Sequence, residues 1–360
     1  MQTSHGAVGC CLAVASLAAF QGSPRAQTLQ TNVYGDLHYE VTGGNHEATT
    51  NSIAVPTIDF FFRGQADKLT LLTELIFDIP EGNNFEADID RLVLSYEFSE
   101  ALKVGVGRFH VALGYVNTAY PHGAAVYLLS IDRPVTVSQF DAEALLPALG
   151  VGLHLGGRLH SSATAFSYDL EILNGRGTSA AEVQTAEDHN NEKAVNVRLR
   201  YEPGFLPGLI IGANAYLDYI PPAPADAVTM MSPQPLKLRE QIFGAHVAYV
   251  EYPFHVIAEL YAQQHLGGGR TFTTVAWFAE VGYSVGKLTP YLREELVAFP
   301  SSKDPYFALT AQQDRGNFQA TSAGLKWSPF DYLAFKVEVE WNHAETDSLY
   351  AAIIQAAFGF

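Results

Sequence analysis

Residues that could do chemistry are numerous in this chain, but none of them forms a compact catalytic or metal-binding motif. Its twelve histidines include no His-x-His or His-x-x-x-His pair, so the spacing gives no support to a transition-metal site. A lone histidine such as His154 or His246 is then expected to line an interior wall or a rim of the fold without binding a metal. Serines and histidines are scattered without a nucleophile motif. We therefore predict no catalytic residues, no metal site and no enzyme activity.

One acidic segment comes nearest to a cation site. Glu81–Asp90 reads EGNNFEADID and could offer oxygen ligands to Ca²⁺, which is a hard cation. It lacks the Asp-x-Asp-x-Asp-Gly loop pattern, so a solvated loop is the favoured interpretation. The two cysteines, Cys10 and Cys11, lie near the start of the chain, and no Cys-x-x-Cys-His haem motif occurs. We predict no cofactor.

Fixed charge is the chemistry that remains. The chain carries 38 acidic and 21 basic residues, with a net charge of −17 at pH 7. This balance argues against nucleic acid as a partner, because phosphate binding needs clustered Lys and Arg. The charged residues instead alternate with apolar ones along short segments, and these segments must position them.

Sixteen such segments follow one another after residue 30. In one of them Phe166 and Tyr168 fall on one face and Asp169 and Glu171 on the other, which is the period of a β-strand. The predicted strands are Asn32–Val41, Ile53–Gln65, Leu69–Ile79, Ile89–Phe98, Leu102–Ala112, Ala148–Arg158, Ala163–Leu173, Ala194–Glu202, Leu209–Tyr219, Glu240–Val250, Pro253–Gln263, Thr273–Val285, Leu288–Val297, Phe318–Ser328, Tyr332–Asn342 and Leu349–Phe360. A tilted strand of about eleven residues crosses the hydrocarbon core of a bilayer.

The connections between the predicted strands alternate in length. Those after even-numbered strands are short, such as Ala66-Asp67 and Gly286-Lys287, whereas those after odd-numbered strands are mostly long and polar. The third long connection covers residues 113–147. Membrane barrels have short turns at one rim and longer loops at the other. We therefore predict an all-β fold, a closed antiparallel transmembrane β-barrel of about 16 strands with a long third external loop.

The two ends of the chain carry their own signals. The apolar run Gly6–Phe20 suits the core of a signal peptide, so we expect residues 1–26 to be a leader and 27–360 the barrel. A lipoprotein signal at Cys10 and a buried helix are weaker alternatives. The last segment, SLYAAIIQAAFGF, resembles the terminal strand of bacterial outer-membrane barrels. That resemblance implies recognition by the barrel-assembly machinery through Phe360.

A second resemblance covers the start of the third long loop. Gly107–Tyr115, reading GRFHVALGY, resembles the strand-to-loop segment of bacterial porin-like channels related to the phosphate-selective porin group. Asn117–Tyr120, His122-Gly123 and Ser130–Pro134 continue it, and Asn174–Gly177 and Thr289–Glu294 look like later parts. The resemblance implies a sixteen-stranded barrel, often trimeric, whose third loop folds into the lumen and narrows it.

Candidate functional residues are predicted both at the constriction that the third loop forms and on the inner wall of the barrel. The constriction candidates are Arg108, His110, Asp132, Arg133, Asp141 and Glu143, and the lumen-wall candidates are Glu74, Arg91, Glu97, Asp169, Arg198, Arg200, Glu259 and Glu338. Arg108 and His110 break the phase of their strand, so Gly105 or Gly107 is expected to permit a bulge. Alternatively, that end of the strand stands above the bilayer.

The predicted wall departs from the phosphate-selective members. We count thirteen inward acidic residues against eight inward basic ones, and capture of phosphate needs a ladder of basic residues. The charge balance therefore favours cations or neutral solutes.

Three functions remain open for such a barrel. The first is a porin-like channel in the bacterial outer membrane for passive diffusion of small hydrophilic solutes or ions, possible as a homotrimer. The second is a sheath or scaffold for a periplasmic or exported partner protein. The third, which the scattered serines and histidines argue against, is an enzyme site at the rim.

Overall fold

One closed antiparallel sheet contains all the strands of the described residues. The computed structural model describes residues 27–360, apart from residues 47, 79–85, 121–125, 139–144, 162, 179, 181–187, 189, 223–235, 301–303, 308–315 and 346–347. The expected leader, residues 1–26, lies outside the described residues. The strands are β1 Gln27–Gly44, β2 Thr50–Ala54, β3 Thr57–Ala66, β4 Leu69–Asp78, β5 Glu86–Ser99, β6 Leu102–His110, β7 Leu149–Ser161, β8 Thr164–Leu173, β9 Ala194–Glu202, β10 Leu209–Ile220, β11 Leu238–Glu251, β12 Phe254–Gly267, β13 Arg270–Tyr283, β14 Leu288–Ala298, β15 Phe318–Phe330, β16 Leu333–Ala344 and β17 Ser348–Gly359.

The seventeen strands form a barrel of sixteen strands, because β2 and β3 are two segments of one barrel strand. β2 and β3 both pair with β1, one after the other, and a break at Val55-Pro56 separates them. Proline has no N–H to give to a ladder, which accounts for the interruption. The predicted closed barrel of 16 strands is confirmed.

The barrel closes between its first and last strands. β1 and β17 pair from Tyr34 opposite Gly359 to Gly44 opposite Leu349. Two further backbone hydrogen bonds join Val33 and Phe360, at 2.8 and 2.9 Å. Closure leaves no unpaired edge, which is what a sheet needs in a medium that cannot hydrogen-bond to it.

The two faces of the sheet differ in the way that the alternation predicts. Outward side chains are apolar and exposed, as with Leu94 at 45%, Leu260 at 51% and Val339 at 56%. Charged and polar side chains of the same strands are buried inside, among them Asp169 and Glu338. Aromatic side chains gather at one rim, where Phe330, Tyr332 and Phe360 lie with ring centroids 5.2 and 5.4 Å apart.

The two rims are distinguished by their connections. β3–β4, β5–β6, β11–β12, β13–β14 and β15–β16 are joined by turns of two to four residues at one rim, which we call the short-turn end. The opposite rim, the long-loop end, carries most of the longer connections, but β12 and β13 are joined there by the two-residue turn Gly268-Gly269. The predicted sorting of connections by length is therefore confirmed for most of the barrel, and it was wrong for this connection. Among the described residues no helix is long and apolar enough to span a membrane.

The third long connection enters the barrel. It links β6 to β7, and we call residues 111–148 the lumen loop. Its described part contains a helical turn, α1 (Val116–Ala119), and a 3-10 turn at Val135–Val137. Apolar side chains of the loop, including Val111, Leu113 and Leu145, are buried against inward residues of the barrel. The hydrophobic core therefore lies inside the barrel, between this loop and the wall.

Candidate channel interior

The lumen loop is first tied to the wall beside the strand that it leaves. The backbone N–H of Ala112 donates to Glu171 of β8 at 3.0 Å, and the Asn196 side chain of β9 donates to the Ala112 carbonyl at 3.0 Å. Asn196 also donates to Glu171 at 2.8 Å. The first residues of the loop are thus held by both a carboxylate and an amide.

A second anchor lies at α1. Glu259 of β12 accepts the backbone N–H groups of Tyr115 and Val116 at 2.8 and 2.7 Å. Gly114 precedes them with φ +64°, and a Cβ there would lie 2.0 Å from the Tyr261 hydroxyl and 2.1 Å from a Glu259 oxygen. Only glycine permits this close approach of the loop backbone to the wall.

The far side of the lumen is reached further along the loop. Lys326 of β15 donates from its Nζ to the carbonyls of residues 126, 127 and 128, at 2.6, 3.1 and 3.0 Å. Lys336 of β16 donates to the Ser130 carbonyl at 2.9 Å, and Glu338 accepts the Ile131 N–H at 3.2 Å. The loop therefore crosses from one wall to the other.

Two more side chains complete the far anchor. Arg293 of β14 donates to the Asp132 carbonyl at 2.6 Å, and Glu295 accepts the Val135 N–H at 2.6 Å. Arg293 and Glu295 are themselves an ion pair at 2.8 Å. The backbone donors and acceptors of the loop named above therefore meet charged side chains of the wall.

Several lumen-wall candidates turn out to be anchors of the loop. Glu259 and Glu338 bind it as described, and Arg198 donates to the Gly114 carbonyl and the Thr118 hydroxyl, both at 2.7 Å. Asp169 holds Arg198 at 2.8 Å.

The other candidates of the wall lie beside the anchors or, for Arg200 and Glu97, close to the short-turn end of their strands. Asp169 also lies 3.7 Å from Arg200, and Glu74 pairs with Arg91. Glu97 lies beside an opening at that end. All eight lumen-wall candidates are therefore placed along the inner wall, and their part in conduction stays a prediction.

The constriction candidates are placed in different surroundings. Asp132 is exposed to the lumen from the loop, whereas Arg133 points back into the loop and donates to the carbonyls of Tyr120 and Val137. His110 lies 2.8 Å from Asp90 at the root of the loop. Asp141 and Glu143 lie outside the described residues. Their roles at a constriction also stay predictions.

Arg108 requires a correction of the expected strand geometry. β5 and β6 pair in regular register from Leu92–Arg108 to Glu97–Lys103, so no bulge occurs at Gly105 or Gly107. This register puts Arg108 on the face of Leu92, which is exposed outward, and its guanidinium lies 3.4 Å from Asp88. The irregularity in this region lies in β5, where Asp90 is an extra residue between the Glu74–Arg91 and Leu75–Ile89 pairs.

Six anchors of the loop were not named among the site candidates. All of them lie on the inward phase of their strands, and they are Glu171, Asn196, Arg293, Glu295, Lys326 and Lys336. The alternation could have found them as wall residues. It gives no sign that a loop more than a hundred residues away would bind to Arg293 and Glu295.

An open space remains beside the loop, towards the short-turn end. A cavity of about 510 Å³ is bounded by β1, β3–β6 and the loop. Among the described residues, its charged lining is Arg63, Arg91 and Lys103, with no carboxylate. A neighbouring opening of about 280 Å³ has a mixed lining, which includes Glu97, Lys103 and Arg200.

The opposite sign of charge surrounds Asp132, nearer the long-loop end. The Asp132 side chain is open to the lumen, but the surrounding loop and wall keep much of the solvent from its carboxyl. This desolvation and the Glu338 carboxylate raise the pKa of the Asp132 carboxyl above its ordinary value, and the Arg293 guanidinium opposes them. Glu40 of β1 and Glu340 of β16 interact with the same carboxyl. The interior thus has an acidic section, defined as Asp132, Glu40 and Glu340, and a basic section, defined as Arg63, Arg91 and Lys103.

Comparison with known proteins finds similarity in structure and none in sequence. No protein-family model matches the chain, and no curated protein matches it. An anion-selective porin from Comamonas acidovorans has a TM-score of 0.67 at 10% identity, over 93% of this chain and 100% of that one.

Two further structures have the same architecture. The trimer form of OmpT, an outer membrane protein of Vibrio cholerae, gives a TM-score of 0.60 at 12% identity, over 93% of this chain and 100% of that one. The outer membrane channel DcaP of Acinetobacter baumannii gives 0.57 at 10% identity, over 92% and 97%. At these identities the likeness establishes the fold, a closed barrel of the outer-membrane porin type. Nothing in the comparisons singles out the phosphate-selective group.

Proposed function

We propose that this protein is a passive channel of the bacterial outer membrane for small hydrophilic solutes and ions. The observation that carries the proposal is the lumen loop, which is held to both walls by charged side chains and leaves a polar cavity of about 510 Å³ beside it. A loop fixed in this way limits the size of what passes, while the lining selects by charge.

The sign of the selectivity forms a separate part of the proposal. The excess of inward acidic residues supports a preference for cations and neutral solutes, whereas the lining of the open cavity is basic. An ion that crosses the barrel would meet the two sections in series. We propose a weak net preference for cations, set at the acidic section around Asp132.

Other proposals concern partners and the chain's ends. A homotrimer in the outer membrane is supported by the trimer form of the similar OmpT. The sequence also supports two further proposals. The barrel-assembly machinery recognises the chain through Phe360, and residues 1–26 are a leader. The absence of enzyme activity is proposed as well, and the sheath alternative has no comparison in its favour.

Electrical recording tests the proposal directly. The purified barrel, inserted into planar bilayers, should give discrete ohmic steps in salt solution. A salt gradient should then give a small reversal potential of the sign expected for cation preference. A barrel that inserts but carries no current would refute the channel, and a reversal potential of anionic sign would refute the selectivity alone.

A further inference from the structure

Four neighbouring strands each bring one potential metal ligand to the root of the lumen loop. Glu74 of β4, Asp90 of β5 and His110 of β6 have ligand atoms that all lie within 4.8 Å of one another. Their residues are 1%, 1% and 6% exposed. Asp59 of β3 adds a carboxyl group that interacts electrostatically with that of Glu74.

The bulge in β5 produces this grouping. Arg91 pairs with Glu74 and Ile89 pairs with Leu75, so Asp90 is the extra residue. A bulge lets two consecutive side chains turn to the same side, and Asp90 and Arg91 both do so here while Ile89 stays exposed outward. Without the extra residue, Asp90 would share the outward face.

An independent observation indicates a missing positive partner. Asp59 is 0% exposed, and neither of its carboxyl oxygens has a hydrogen-bond partner in the part of the chain that the structure describes. The same holds for Asp90 Oδ1. Buried carboxyl oxygens without partners are costly, and a bound cation removes that cost.

The basic residues nearby are already engaged. Arg91 pairs with Glu74. The guanidinium of Arg133 donates to loop acceptors at Tyr120, Val137 and Asn117. Three carboxyl groups therefore face the charges of Arg91 and Arg133, and of these two only Arg91 forms a direct ion pair with one of them in the described residues.

The geometry points to a binding site for one divalent transition-metal ion, formed by Glu74, Asp90 and His110 with Asp59 as a fourth ligand. An imidazole nitrogen with carboxylate oxygens suits Zn²⁺ and its neighbours, whereas Ca²⁺ takes six to eight oxygens. A tetrahedral Zn²⁺ shell has ligand atoms roughly 3.3–3.6 Å apart, so the ligand atoms of Glu74, Asp90 and His110 must close in by no more than about 1.5 Å. Asp59 would have to turn towards them to become the fourth ligand.

The surroundings meet two further requirements of a metal site. The His110 ring hydrogen-bonds the side chain of Asn117 in the lumen loop, and such an outer partner fixes the orientation of a ligand histidine. His110 and Arg91 also line the 510 Å³ cavity, which gives a path for the ion from the short-turn end. A bound ion would join the root of the loop to three strands of the wall.

The test is metal binding by the whole barrel, refolded in detergent without an affinity tag, with Zn²⁺ as the probe. We expect about one tightly bound Zn²⁺ per chain after dialysis, by elemental analysis, and a rise in the unfolding midpoint that a chelator reverses. Co²⁺ in place of Zn²⁺ should give a visible absorption spectrum. A wild-type chain that retains less than about 0.1 equivalent refutes the site.

Variants place the ion. His110→Ala and Asp90→Asn should each weaken Zn²⁺ binding by more than about 100-fold, since changes outside the ligand shell alone cost 10–100-fold. The matched control is His255→Ala, because His255 is another buried histidine, 2.9 Å from Glu280, with no third ligand among the described residues. Unchanged Zn²⁺ binding in folded Asp90→Asn refutes the assignment. If His110→Ala does not fold, the nearly isosteric Asp90→Asn variant alone is the deciding test.

Discussion

Glu259 and Val116 are joined by a hydrogen bond of 2.7 Å, in which a carboxylate of the wall accepts the first backbone N–H of α1. The same oxygen accepts the Tyr115 N–H at 2.8 Å. A side chain of β12 therefore fixes a loop that begins almost 150 residues earlier in the chain.

Removing the charge of Glu259 should loosen this anchor. Hydrogen bonds to charged groups contribute about 1.5–3 kcal/mol each, so Glu259→Gln should lower the free energy of unfolding by roughly that amount. Current noise in single-channel records should rise because the loop is held less firmly. Glu97→Gln serves as the control, since Glu97 lies on the wall at the short-turn end. Equal noise in both variants would contradict the anchor.

Lys326 should control the far side of the loop. Its Nζ satisfies three backbone carbonyls, and Lys326→Met would leave them buried without a donor. Each unsatisfied group costs about 1–3 kcal/mol, so the loop should detach from β15 rather than stay in place. Conductance should then increase, by roughly twofold if the loop is what narrows the lumen. An unchanged conductance in a folded variant would show that the loop does not limit the current.

The raised pKa of Asp132 predicts a pH dependence of selectivity. Because protonation occurs at a higher pH than for an ordinary Asp, the carboxyl is charged near neutral pH and becomes neutral on mild acidification. Cation preference should therefore fall between about pH 7.5 and about pH 5. The other titratable and charged groups that interact with this carboxyl in the described residues are Glu338, Arg293, Glu40, His38, Glu340 and Lys336.

Asp132→Asn should mimic acidification at neutral pH. Its reversal potential should resemble that of the wild type at the lower pH and change less with pH. Protonation of His38 would act in the same direction on acidification, so His38→Gln is the matched control. If the pH dependence survives Asp132→Asn and disappears in His38→Gln, the assignment to Asp132 is wrong.

Two sections of opposite charge in series should make the current depend on the direction of the voltage. An ion drawn towards one section is repelled by the other, so the conductances at positive and negative voltage should differ at low salt. Lys103→Gln weakens the basic section and should reduce the difference, and about 1 M salt should abolish it. Symmetrical curves at low salt would speak against a series arrangement.

Phe360 should matter for assembly more than for conduction. It forms two backbone hydrogen bonds with Val33, and its ring lies 5.4 Å from that of Tyr332. Deletion of Phe360 should lower the fraction of folded barrel, measured by the shift in gel mobility between unheated and heated samples. Phe360→Tyr keeps both bonds and the ring, and should assemble normally. If the deletion leaves the fraction of folded barrel unchanged, Phe360 is not part of the assembly signal.

The architecture was predictable because each strand shows its own pattern. A period of two residues specifies which side chains face lipid, and the lengths of the connections specify the two rims. The interruption at Val55-Pro56 and the bulge at Asp90 escaped prediction. A Pro at a strand boundary and an acidic residue beside Arg91 do not distinguish a local irregularity from an ordinary strand end.

The interior was less predictable because its contacts join distant parts of the chain. Glu74, Asp90 and His110 are separated by 16 and 20 residues, which is about one strand with its connection rather than a known ligand spacing. A search for short histidine motifs misses such a site. The alternation predicted that Glu74 faces inward, but the neighbours of that side chain depend on the register between strands, and the sequence does not specify that register.

The partners of the lumen loop also set an order of events in time. Ala112 binds Glu171, 59 residues further along, but Ile131 binds Glu338, 207 residues further along. Early in folding, most of the wall residues that bind the lumen loop are not yet in place. Contacts between residues so far apart in sequence make folding slow. The anchors at Lys326, Lys336 and Glu338 can therefore form only after the C-terminal strands are in place, so the lumen loop is expected to take its final position late in folding.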